Sequence, residues 1–171
     1  MMAFGRTRPP AELRGRLDGG ERLLAIADDG PAAVAASPLG LWLPADGSWH
    51  RIAWDDIVKA TWSEAGLEII EGRDEDGIVL DQPPRHYRLS EPRNLPAVIR
   101  QRVEHSIARW EQVRVPGGTA RIVGRRRPGR DGLRWTARLD AGTPDSPQAR
   151  EVLGECLARV RSLPPEQLTG G

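Results

Sequence analysis

From Arg22 to Leu89 the chain is a series of short apolar stretches separated by turn residues, the pattern of antiparallel strands. Arg22–Ala27 and Ala32–Ala36 form the first two, divided by Asp28-Asp29-Gly30-Pro31. Leu39, Leu41 and Leu43 alternate with period two, and Asp46-Gly47 then marks a tight hairpin turn. Residues 49–54, 57–62 and 67–71 follow as three strands in series, with corners at Asp55-Asp56 and Ser63–Gly66. A charged turn over Gly72–Gly77 leads to residues 78–80 and 85–89, split by Pro83-Pro84, which a central strand does not tolerate. The period then changes. Leu95, Ile99, Val103, Ile107 and Trp110 recur about every fourth residue, predicting an amphipathic helix from an Asn94 cap to about Val113, closed by Pro116-Gly117-Gly118. Residues 119–126 and 133–140 predict a hairpin in which Leu133, Trp135, Ala137 and Leu139 face one way and Arg134, Thr136, Arg138 and Asp140 the other. A last helix opens at Asp145 or Ser146 with Pro147 in its first turn. Its buried stripe is Ala149, Val152, Leu153, Cys156, Leu157, Val160 and Leu163.

Strands followed by one amphipathic helix, with Gly20-Glu21-Arg22-Leu23-Leu24-Ala25 at the start and Ile52-Ala53-Trp54-Asp55-Asp56-Ile57 before Ala60, Trp62 and Leu67-Glu68-Ile69, resemble the bacterial pleckstrin-homology-like (PH-like) proteins over about residues 17–113. The resemblance implies an α+β fold: a PH-like antiparallel barrel or sandwich with a capping helix, Ile107 or Trp110 entering between the sheet layers. An extra β-hairpin and helix follow. The expected organisation is a flexible basic arm over 1–16, the barrel and its helix over 17–114, the hairpin and helix over 115–165 packed on the same domain, and a tail over 166–171. Classical members of that fold read phosphoinositides with basic residues in the first hairpin loop. Here the loop is Asp28-Asp29-Gly30-Pro31, whose carboxylates repel an anionic headgroup, so the role implied is docking of a protein or peptide.

Length and composition keep this picture ordinary: 171 residues fit one domain, and 39% hydrophobic with 29% charged content fits a water-soluble core-forming chain. No apolar run approaches the roughly 18 residues needed to span a bilayer, and no signal peptide opens the chain, which places the expectation in the cytoplasm. Charge changes the picture more. A net charge of +1 conceals a segregation: residues 17–84 carry fourteen acidic against four basic residues, net −10, whereas residues 85–138 carry fourteen Arg against four acids, net +10. Either the two parts pair with each other, or the basic one meets an external anion.

The sharpest binding candidates are Arg121, Arg125, Arg126, Arg127, Arg130, Arg134 and Arg138, gathered on one hairpin. An Arg-bearing ribbon can follow a phosphate backbone, and the competing reading is pairing with the acidic surface of 17–84. Trp54, Trp62, Trp110 and Trp135 fall on expected core faces. Trp42 and Trp49, flanking the Asp46-Gly47 turn, are the candidates for exposed aromatic contacts, with packing under the N-terminal arm as the plainer account. No catalytic constellation is present. Asp55-Asp56 and Asp74-Glu75-Asp76 lack ligand spacing, the three histidines have no partner motif, no serine sits in a nucleophile elbow, and the single Cys156 belongs to an apolar stripe. The expectation is therefore a non-catalytic protein- or peptide-binding scaffold without metal or cofactor. The alternative is a nucleic-acid-binding accessory using the hairpin 119–140; a homodimer is compatible with either.

Overall fold

The computed structural model describes residues 8–28 and 32–164. The outer parts of the expected arm and tail (1–7 and 165–171), and Asp29-Gly30-Pro31 of the first hairpin loop, lie outside the described residues. The fold is α+β, with curled, antiparallel-rich sheets and a C-terminal helix.

After a helical turn, α1 (Ala11–Arg14), four strands form the first sheet in sequence order: β1 (Ala25–Ala27), β2 (Val34–Ala36), β3 (Gly40–Ala45) and β4 (Ser48–Ala53). The β3–β4 turn is Asp46-Gly47, both with positive φ, the geometry a two-residue hairpin matched to strand twist demands. Strand alternation gives this sheet two covered faces. Ala25, Ala27, Val34, Ala36, Leu41, Leu43 and Ile52 point into the main core. Ile26, Ala35 and Trp42 point the other way, onto Leu13 and Leu23. Leu13 is fully buried, so the expectation of a flexible arm through residue 16 does not hold for the helical turn Ala11–Arg14, which Leu13 anchors.

A 3-10 turn over Trp54–Asp56 leads to the second sheet, with β5 (Ile57–Ser63), β6 (Gly66–Glu75), β7 (Ile78–Asp81) and β8 (Arg85–Tyr87). Strand β6 is the spine. Its outer edge pairs with β5, and its inner edge pairs first with β8 and then with β7, which are broken apart by Pro83-Pro84. The expected charged turn over 72–77 is mostly strand. Only Asp76-Gly77, again with positive φ at both residues, makes the turn.

The main departure from expectation follows. Helix α2 (Leu95–Ser106) stops seven residues before Val113, and Ile107–Val115 is strand β9. Pro116-Gly117 is not a helix stop but a two-residue hairpin turn, Gly117 taking φ +85°, between β9 and β10 (Gly118–Arg126). Eight residue pairs join the two strands, seven of them in continuous register, and this ladder outweighs the fourfold apolar spacing that ran past Ser106. The Asn94 side chain makes no capping bond either; only its carbonyl accepts, from Val98 N–H. Strand β11 (Leu133–Leu139) completes the order β5-β6-β7-β11-β10-β9, and α3 (Pro147–Ser162) starts on Ser146, whose Oγ accepts from Ala149 N–H at 3.1 Å. The C-terminal unit thus begins at Ile107, not 115.

Helix α2 covers the first core with Leu95 and Ile99, but Ile107 and Trp110 do not enter it. Helix α3 builds a second core from Ala149, Leu153, Leu157 and Val160 against Ile122, Trp135 and Ala137, as its stripe predicted. Cys156 is half-buried at its edge. The face of β10 and β11 opposite α3 carries no second helical core; with β5–β7 it curves around a pocket.

Gly72 shows how closely that concave face is packed. A β-carbon there would lie 2.5 Å from Val79 Cγ1 and 2.8 Å from Val58 Cγ2, inside contact distance. Gly72→Ala is expected to cost about 1–3 kcal/mol through overpacking. Urea unfolding checks this, and a midpoint equal to that of the parent would refute the packing described.

Candidate binding pocket on the concave face

The second sheet pairs strands from both charge blocks, and its concave face is where they meet. The joint between them is narrow. Strand β11 runs parallel to β7 with a single residue pair, Ala137 opposite Ile78, and Ala137 N–H donates to Gly77 O at 2.7 Å.

Side chains secure this joint. Arg134, projecting from β11 away from α3, donates through Nη1 to Asp55 Oδ2 (3.0 Å) and to Asp56, and through Nη2 to Asp74 Oδ2 (2.9 Å). The 3-10 turn turns both Asp55 and Asp56 onto one guanidinium, so the adjacent carboxylates do not point apart as turn neighbours usually do. The Asp55 carboxylate is nearly inaccessible, at 3% exposure. Arg138 forks onto Asp81, with Nε at 2.7 Å from Oδ1. Arg125 donates through Nη1 to Ile57 O (3.1 Å) and Ser106 Oγ (3.0 Å), tying β10 to β5 and to the end of α2. From α3, Arg150 reaches Asp145 and Glu75, and Arg161 donates to Trp135 O.

The electrostatics follow from these contacts. Burial works against the charge on Arg134, but the hydrogen bonds it donates to Asp56, Asp74 and Asp55 outweigh it and hold its pKa above the ordinary value. Asp74 is pulled the opposite way. Burial raises its pKa, but the bonds from Arg134 and from Gly77 N–H prevail and keep it below the usual carboxylate range. Arg138 is raised by its bond to Asp81. Arg125 is lowered, because burial is its largest influence and it faces no carboxylate within salt-bridge distance among the described residues.

Around these pairs lies a pocket of about 260 Å³, floored by Val58, Val79, Val123 and Thr136 and walled by Asp55, Asp56, Arg121, Arg125, Arg134, Arg138 and Asp140. Trp110 and Ile107 stand at its mouth on β9, 60% and 37% exposed. Trp110 lies opposite Val123 in the ladder, and the Arg121 guanidinium sits over its ring at 5.3 Å. A register shift between Gly124 and Arg125 places Ile107 opposite Arg125.

The seven sequence candidates therefore separate. Arg134, Arg138 and Arg125 are spent inside the molecule, the first two on the acidic block. Arg121 lies 3.5 Å from Asp140 and over Trp110. Arg126 donates to His105 O at 2.8 Å, and Arg127 and Arg130 are exposed around the β10–β11 turn. The tryptophans separate too: Trp42 and Trp49 pack beneath the N-terminal segment rather than offering exposed contacts, and Trp62 and Trp110 depart from the expected core. Trp42 is buried: its Nε1 donates to Glu21 at 3.2 Å, and the Arg51 guanidinium covers its ring at 5.2 Å. Trp49 is half-buried beside it. Trp54 and Trp135 are core, but Trp62 and Trp110 are exposed. The signal for Trp110 was present, since nine residues on either side of a Pro-Gly pair can form a hairpin. No group of three His, Cys, Asp or Glu is arranged to hold a metal ion among the described residues, and no described helix is long and apolar enough to cross a membrane. No family model, curated protein or solved structure matches the chain.

Removing Arg134 leaves three converging carboxylates, one of them buried. Arg134→Met is expected to cost about 3 kcal/mol. Because the folded pKa of Asp74 lies below its unfolded value of about 4, the stability it contributes is complete above that value and is lost as pH falls through the folded pKa. Urea midpoints of the parent should therefore hold from neutral pH to about 5 and drop below about 4. In Arg134→Met the acid drop should be shallower, though not abolished, because Asp140 and Asp145 are also lowered, each first by hydrogen bonds, from Thr119 and from Arg150. Parallel pH profiles for the two proteins would rule out the clamp as the source.

Proposed function

We propose that this chain is a non-catalytic binding module that docks a protein segment at the mouth of the concave pocket. The observation that carries the reading is Trp110. Among the described residues only Trp62, Ile107 and Trp110 are large hydrophobics left exposed, and two of them share one strand at one pocket mouth. An exposed Trp under an Arg guanidinium has the composition of an interface hot spot. Strand β9 is the last in its sheet order, so among the described residues its outer edge has no strand partner, the kind of edge a partner backbone can extend.

Apart from Arg125, whose donors go to Ile57 O and Ser106 Oγ, the arginines of the pocket pair with its carboxylates or with Asp81 and Asp74 beside it, so the occupant supplies an apolar or aromatic anchor rather than a compensating ion. The same pairing weighs against nucleic acid on this face, since Asp55, Asp56 and Asp140 would repel a phosphate backbone. The curled sheets with α2 across one core support a PH-like relationship for the N-terminal part, in which the C-terminal strands extend the sheet and supply the docking surface. That relationship concerns architecture, and the docking role is argued from the site.

The test is selection of binders from a random peptide library displayed on phage, with the full chain as bait. Enriched peptides should share an aromatic or large aliphatic anchor. Trp110→Ala should weaken them by about 2 kcal/mol, roughly thirtyfold, while leaving the melting temperature unchanged, because the ring is exposed. No enrichment, or equal binding to the Trp110→Ala protein, would overturn the proposal.

A further inference from the structure

The β10–β11 turn, the C-terminal end of α2 and the Pro38-Leu39 corner enclose an open cleft of about 530 Å³, separate from the Trp110 mouth. Four guanidiniums belong to it: Arg102 from α2, Arg126 from the end of β10, and Arg127 and Arg130 from the turn. None of the four has a carboxylate within salt-bridge distance among the described residues. Arg126 spends one donor on His105 O, at the helix end. The one acid in the lining is Asp131. This differs from the concave face, where each strand-borne Arg of β11 was matched to acids of the 17–84 block. A turn lies beyond the reach of that ladder, so its positive charge stays unmatched.

We infer that this cleft binds the phosphate group of a small organic phosphate. Several guanidinium forks lining one cleft offer more charge and more donors than a single carboxylate can use, whereas a phosphate with two charges and three acceptor oxygens takes them up. Pro38, Leu39, Pro128 and Leu133 add an apolar ledge beside the cations. That ledge suits an organic body attached to the phosphate, which inorganic phosphate lacks. A nucleic-acid strand needs a track of cations, and outside this cleft the hairpin arginines are largely occupied internally. The charges are exposed, so binding falls as salt rises.

Isothermal titration of the full chain at low salt tests this, with ATP and pyrophosphate as probes, acetate as the monoanion control and a single-stranded oligonucleotide as the competing class. ATP is expected to bind more tightly than pyrophosphate, and acetate not at all. Arg127→Ser/Arg130→Ser should weaken ATP at least tenfold with an unchanged melting curve, since neither side chain makes a hydrogen bond among the described residues. Asp131→Asn, which removes the one opposing charge, should tighten ATP by a few fold, a gain that damage to the fold cannot produce. Absence of binding by both phosphate probes, equal binding of acetate, or an unchanged affinity in the double variant would overturn the inference. Tighter binding of the oligonucleotide than of ATP would overturn it in favour of a nucleic-acid surface.

Discussion

One guanidinium determines how the two halves of this molecule meet. Arg134 gathers Asp55 and Asp56 from the turn that leads into β5, and Asp74 from the far end of β6, at a seam where the backbone contributes a single parallel residue pair. A seam that thin has no register of its own, because slipping it by a residue sacrifices little backbone bonding. The fork of Arg134, the second fork from Arg138 to Asp81 and the Arg125 bonds to Ile57 O and Ser106 supply the missing register. Everything placed by the C-terminal unit depends on it: the concave pocket, the position of Trp110 and the direction of the β10–β11 turn.

Such a cluster is better understood as a device for alignment than as a large source of stability. Burying charges costs several kcal/mol per ion before attraction returns it, and a well-packed apolar replacement is often as stable. Stability is drawn from the hydrophobic cores: one between the first sheet, β5, β6 and α2, a second between β9–β11, Ile78 of β7 and α3, and a smaller one between the first sheet and Leu13 and Leu23. None of these cores crosses the seam on its concave side. An apolar seam there would hold as firmly but would accept several offsets, whereas fixed forks accept one. The charge segregation along the sequence, net −10 followed by net +10, is to a large part this alignment device written in one dimension.

Much of the fold was legible because local rules agreed with the long-range outcome. The Asp46-Gly47 turn, the Leu39–Leu43 alternation and the α3 stripe each satisfy a short-range preference that the tertiary structure also uses. The reading failed where two local patterns coexisted. Residues 95–110 keep helical spacing, but no local breaker marks Ser106. The helix ends there because β10 offers Ile107–Val115 a ladder of eight residue pairs, and that pairing is invisible to periodicity within the segment itself. The misplacement of Trp110 and Ile107 follows from this one boundary. Trp42 follows the plainer of its two readings: it lies opposite the Leu41/Leu43 face of β3, and Leu13 and Leu23 arrive from the N-terminal segment to cover it.

The fate of the arginines shows what sequence could and could not say about the site. Counting them identified the hairpin, but not which were free. Register decides that. Positions 134 and 138 alternate on the concave side of β11 and fall opposite acids carried by the 3-10 turn, β6 and β7, so their charge is consumed in assembling the sheet. Positions 127 and 130 lie past the end of the ladder, where no strand passes to supply a carboxylate. A charged residue on a paired strand is therefore weak evidence for an external partner, and the same residue in the adjoining turn is stronger evidence. The distinction rests on the boundary of hydrogen-bonded pairing between Arg126 and Leu133, not on residue type.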